Sequence, residues 1–224
     1  MARSLSMAGH RDGRHRRAPW WVAMALVALG ACTPGSSPPV PAIYKLAFAD
    51  GAVVVPTPWG YCADPDAIRN DGASGFALLG NCATITGRVF VPQPADRVVL
   101  TVAVRARRPG VPTIAEEIDT LDAFFTSSAG RRALALSGDG SGVEVIETRA
   151  EDGIFYVLAR EAGRPPASGL ADRWWRAYFD VGNHIVSIAV IATEAEDVAD
   201  TRALTILKGL ALRIRKASPA HSAG

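Results

Sequence analysis

The chain has 224 residues, with 24 Lys+Arg against 22 Asp+Glu, 49% hydrophobic residues and three cysteines. Its small excess of base belongs to the first 32 residues, which hold five of the cationic side chains and one of the acidic ones, leaving 19 against 21 beyond them. A near-neutral remainder without a basic stripe gives no footprint for nucleic acid, and its length and apolar content suit one domain with a real core.

The first element is an export segment. Arg3, Arg11, Arg14, Arg16 and Arg17 precede the apolar run Trp20 to Leu29. That run is shorter than the roughly 20 apolar residues that a bilayer span needs. A basic start, a short apolar core and small residues after it make a secretory signal.

The end of the run, Leu29-Gly30-Ala31-Cys32, resembles the lipobox of bacterial lipoproteins. The resemblance implies removal of residues 1–31, a diacylglyceryl group on the Cys32 thiol, acylation of the new amino terminus, and a lipid bilayer as the first partner. It places the rest of the chain on the periplasmic side. Thr33 stands where an aspartate would favour the inner membrane, so the resemblance leans to the outer one. The alternative is a plain signal cut after Ala31, with Cys32 a free thiol.

Residues 33–42, "TPGSSPPVPA", are Pro, Gly and Ser without an apolar period. With Cys32 they form an extended tether over residues 32–42, able to lift a domain on the order of 30 Å. The domain is expected over residues 43–216, followed by a featureless tail at 217–224.

Within the domain, "YKLAFA", "AVVVP", "GFALLG" and "RVVLTVAVRA" have the length and apolar content of strands. Thr113 stands three residues before Glu116, the reciprocal pairing of a capping box, and Ile114, Ile118, Leu121 and Phe125 then share one helical face. A second short helix is expected from Ser128 to Leu136. Next, "VEVIETRA" and "IFYVLARE" flank Asp152-Gly153, and "RWWRAYFDV" and "HIVSIAVIA" flank Gly182-Asn183. Both dipeptides are tight-turn signals, so these four strands should form an antiparallel meander. From about Asp197 to Lys216, Ala203, Leu207, Leu210 and Ile214 share a helical face, and Arg213, Arg215 and Lys216 suit the helix's negative end.

The expected class is therefore α+β, an antiparallel sheet with helices packed on it. This element order over residues 44–216 resembles the PsbP-like fold, whose members include photosystem assembly proteins and small bacterial lipoproteins. The pieces "GYCADPDAI…ALLGNC" and "RAYFDVGNHIVSI" also resemble small exported bacterial proteins.

Catalytic constellations are sparse. Past the signal only His184 and His221 remain, there is no G-x-S-x-G, and Glu144 and Glu147 face opposite sides of a regular strand. The "DPDAIRNDG" loop fails as an EF-hand, with Ile68 and Arg69 at its fifth and sixth positions, so Asp64, Asp66 and Asp71 read as turn caps. No metal or cofactor is implied. "SGDGSG", residues 137–142, runs into a strand and lacks the Lys-Ser/Thr of a phosphate loop.

If Trp175, Ala177 and Phe179 face the core, Trp174, Arg176 and Tyr178 form a candidate contact patch on the other face of their strand, unless the C-terminal helix or a neighbouring loop covers them. Lipidation of Cys32 would leave Cys62 and Cys82 as an even pair in an oxidising compartment, without C-x-x-C spacing. A structural disulfide is the reading, and it requires their Cα atoms to lie within about 7 Å. Two functions follow: a non-catalytic binding or assembly module contacting an envelope protein, or an envelope hydrolase using His184 and nearby carboxylates.

Overall fold

The computed structural model describes residues 40–136, 140, 142–163, 169–195 and 198–219. The expected export segment, Cys32, most of the expected tether, the last residues of the tail, His221 and most of the 137–142 connection lie outside the described residues. In chain order the elements are β1 Lys45–Phe48, β2 Val53–Pro56, β3 Tyr61–Ala63, β4 Arg69–Asn70, β5 Ser74–Asn81, α1 Cys82–Thr86 and β6 Val98–Ala106. Then follow α2 Ile118–Thr126, α3 Ser128–Leu134, β7 Val143–Glu151, β8 Ile154–Glu161, β9 Leu170–Val181, β10 His184–Thr193 and α4 Asp200–Ala217.

One antiparallel sheet carries the fold, in the order β3-β5-β6-β10-β9-β8-β7, with β4 also paired to β5 and the β1-β2 hairpin separate. The meander of β7 to β10 is built on the two expected turns. Asp152 and Gly153 both take positive φ, 53° and 66°, as a two-residue hairpin of this type requires. Arg215 at the end of α4 donates to the carbonyls of Asp152 and Gly153 at 2.7 and 2.9 Å. A side chain read as a dipole partner thus also pins a hairpin to a helix.

Period-2 alternation sorts the strand residues onto two faces. On one face, Tyr156, Trp175, Phe179, Ile188 and Leu100 meet Leu207, Leu210 and Ile214 of α4, together with Phe48 and Val55 of the β1-β2 hairpin. On the other, Phe155, Val157, Trp174 and Ile191 meet Ile114, Phe125 and Leu134 from the α2-α3 side. The class is α+β as expected, and the central strands are buried on both faces. Fully burying each large apolar side chain contributes about 1.5–3 kcal/mol.

The expected capping pair forms. The Thr113 N–H donates to Glu116 at 2.8 Å, and the Glu116 N–H donates to the Thr113 hydroxyl at 3.3 Å. The Thr113 backbone, and then its hydroxyl, hold the Glu116 carboxyl below its ordinary range. Regular helix nevertheless starts only at Ile118, and the Ile114 N–H donates to Asp180 Oδ2 on β9 at 2.6 Å, which ties this turn to the sheet.

Candidate contact site at the disulfide-braced end

After β2 the sequence Pro58-Trp59-Gly60-Tyr61 makes a tight turn closed by the Tyr61 N–H donating to the Pro58 carbonyl at 3.0 Å. Gly60 has φ 81°, and a Cβ there would stand 2.3 Å from the Pro94 nitrogen, so this position requires glycine on both counts. The turn carries Trp59 outward, 76% exposed.

Two cross-links hold the turn in place. Cys62 on β3 and Cys82 at the start of α1 form a disulfide with Cα atoms 4.9 Å apart, and the Cys82 N–H donates to the Gly60 carbonyl at 2.9 Å. On the other side, the Tyr61 hydroxyl donates to the Asp96 carbonyl at 2.7 Å. Burial, and then the Asp96 charge, push the Tyr61 phenol up to about 12, so it remains a donor at neutral pH. Asp96 in turn accepts from Arg202 of α4, at 3.1 Å from Nε and 2.8 Å from Nη2, which clamps the 92–96 segment to the helix.

The chain enters the domain at this same end. Ile43 bridges Ala63, and the Thr57 N–H donates to the Tyr44 carbonyl at 2.9 Å. Tyr44, Pro58, Trp59, Pro92 and Arg213 line an open cleft of about 460 Å³. A second cleft of about 330 Å³, sharing Pro58, Trp59 and Arg213, continues past Pro94 to Gly209 on α4. Between α1 and these prolines, Val89 and Phe90 are 73% and 99% exposed. The surface is aromatic, proline-rich and fringed by cations, a composition suited to contact rather than to proton transfer.

The candidate patch on β9 is corrected by the structure. Trp174 is buried at 2% exposure among Phe125, Leu134 and Val143, and Tyr178 stacks on Phe125 with ring centroids 5.0 Å apart. Arg176 reaches the Ala133 carbonyl in α3 at 3.3 Å. Trp174 therefore belongs to the interior, and Arg176 and Tyr178 are half-buried, because α2 and α3 cover the sheet face that they share.

His184 opens β10 directly after the Gly182-Asn183 turn. Among the described residues its Nδ1 is buried without a hydrogen-bond partner, and it does not line the clefts beside Trp59 or beside α2. The loop aspartates cap turns as expected: Asp64 accepts from the Asp66 N–H at 3.0 Å, and Asp71 from the Ser74 N–H at 2.6 Å and its hydroxyl at 2.7 Å.

No family model matches the chain. No curated protein matches it either. Among solved structures it is similar to a point mutant of the protein Mog1, at 11% identity and a TM-score of 0.46, over 79% of this chain and 94% of that one. It is also similar to the cyanobacterial PsbP of Synechocystis, CyanoP, at 11% identity and a TM-score of 0.40, over 84% and 96% of the two chains. The extracellular domain of PknH from Mycobacterium tuberculosis stands at 13% identity and 0.32, over 68% and 67%. These are weak likenesses of fold, the PsbP-like one included, and no partner or activity is transferred from them.

Reasoning from sequence overlooked Trp59, Tyr44 and Phe90. A usable signal was present in "PTPWGYC", where a tryptophan sits between proline and glycine, in a turn that cannot turn it into a sheet core.

Proposed function

We propose that the chain is an envelope lipoprotein, anchored through acylated Cys32 and facing the periplasm, that works as a non-catalytic binding or assembly module. The observation that carries the binding reading is Trp59, 76% exposed on a turn braced by the Cys62–Cys82 disulfide, with Tyr44 lining the same cleft. A monomeric protein gains nothing in stability from holding a tryptophan rigidly in water, whereas exposed aromatic groups with polar rims are common at contact sites. The disulfide supports an oxidising compartment. Thr33 after Cys32 favours the outer membrane as the site of anchoring.

Lipidation is tested by mass spectrometry of the mature amino terminus after extraction from the envelope. The expected first residue is Cys32 carrying a diacylglyceryl group and an acyl chain. An unmodified Cys32, or a chain that retains residues 1–31, would overturn the anchoring.

A further inference from the structure

We propose that the Trp59 end lies against the membrane surface itself, with Trp59, Tyr44 and Phe90 entering the interface between headgroups and acyl chains. This rests on the anchoring of Cys32 proposed above. Position is the first argument. Ile43 is bridged to Ala63 and Tyr44 lines the cleft beside Trp59, so the tether joins the domain inside this patch. The eight residues 32–39 span at most about 30 Å when extended. An anchor on Cys32 therefore leaves this end of the domain, where the tether joins it, within reach of the bilayer.

Chemistry is the second argument. Tryptophan and tyrosine concentrate at membrane interfaces, where an apolar ring can be buried while its polar atom stays wet. The cations around these rings are available for lipid phosphates. Arg213 lines the same cleft, Arg88 directly precedes Val89 and Phe90, and Lys45 follows Tyr44. All three are exposed and form no ion pair among the described residues, whereas the nearby carboxylate of Asp96 is already neutralised by Arg202. Apolar rings ringed by free cations match the requirements of an anionic interface. A protein partner in the envelope would instead need a complementary acidic and apolar surface.

The tryptophans make this measurable. The chain has five, at positions 20, 21, 59, 174 and 175. Trp20 and Trp21 lie in the export segment, and Trp174 and Trp175 are 2% and 1% exposed, so accessible emission from the mature chain reports Trp59. The full mature chain, extracted from membranes and checked by mass for its lipid, is reconstituted into phosphatidylethanolamine/phosphatidylglycerol vesicles with or without brominated acyl chains. At the depth of an interfacial side chain, about 5–10 Å into the headgroup and acyl boundary, bromine should quench the Trp59 emission. The Trp59→Phe variant should lose that quenchable component.

Unchanged emission in brominated vesicles, with Trp59 still open to acrylamide, would overturn the proposal for a chain whose lipid is verified. Protection of Trp59 that appears only when envelope proteins are added would also overturn it, in favour of a protein partner. If Cys32 proves unmodified, the same soluble chain is mixed with excess brominated vesicles. Quenching there would sustain the lipid contact while the anchoring falls, and its absence would end both.

Discussion

Replacing Trp174 by alanine is expected to lower the unfolding free energy by about 3–5 kcal/mol, the cost of emptying a large aromatic site in a packed core. Trp174 pairs with Ala159 and Ile191 across the sheet and is enclosed by Phe125 and Leu134 from α2 and α3. Its Nε1 is buried without a hydrogen-bond partner among the described residues. Trp174→Phe should therefore cost clearly less than Trp174→Ala, since it keeps part of the packing and removes the unpaired N–H. Trp59→Ala should change stability by less than about 0.5 kcal/mol, as substitutions at exposed sites generally do. Denaturant midpoints of the three variants measure the contrast. A Trp174→Ala protein of unaltered stability would return β9 to the role of a contact strand.

Removing the Cys62–Cys82 bridge should cost about 3 kcal/mol in the chain-entropy account, given the 20-residue separation of the two cysteines. Both side chains are fully buried, so the double replacement Cys62→Ala/Cys82→Ala is a cleaner test than added reductant. Equilibrium unfolding of that variant should show the loss. The double replacement should also lower the fluorescence anisotropy of Trp59, because the bridge and the Gly60–Cys82 hydrogen bond restrain the same turn. A loss below about 1 kcal/mol would mean that the β3–β5 ladder and the Asp96–Arg202 clamp hold this end without the covalent link.

Periodicity and turn chemistry made most of the fold legible. The pairs Asp152-Gly153 and Gly182-Asn183 marked the β7–β8 and β9–β10 hairpins of the meander, and the face Ala203, Leu207, Leu210, Ile214 marked α4. Short elements escaped, since β3, β4 and α1 have three, two and five residues, too few for a period to show. The contact site was hidden for a different reason. Strand alternation shows which residues share a face, but whether α2 and α3 cover that face depends on how distant segments pack. The "RWWRAYFD" strand thus turns its second face under α2 and α3, with Trp174 in the interior and Arg176 and Tyr178 half-buried. Trp59 belongs to no periodic element, and only its proline and glycine neighbours indicated that it sits on a turn.

A photo-crosslinking side chain placed at position 59, compared with one at position 146 on the sheet-edge strand β7, tests most directly that the disulfide-braced end is the contacting surface. Ile146 is itself 42% exposed, so solvent access alone does not separate the two sites. In intact envelopes, position 59 should give adducts, with lipid as the principal product, and position 146 should give few. Equal labelling at both positions, or adducts at 146 and none at 59, would contradict it.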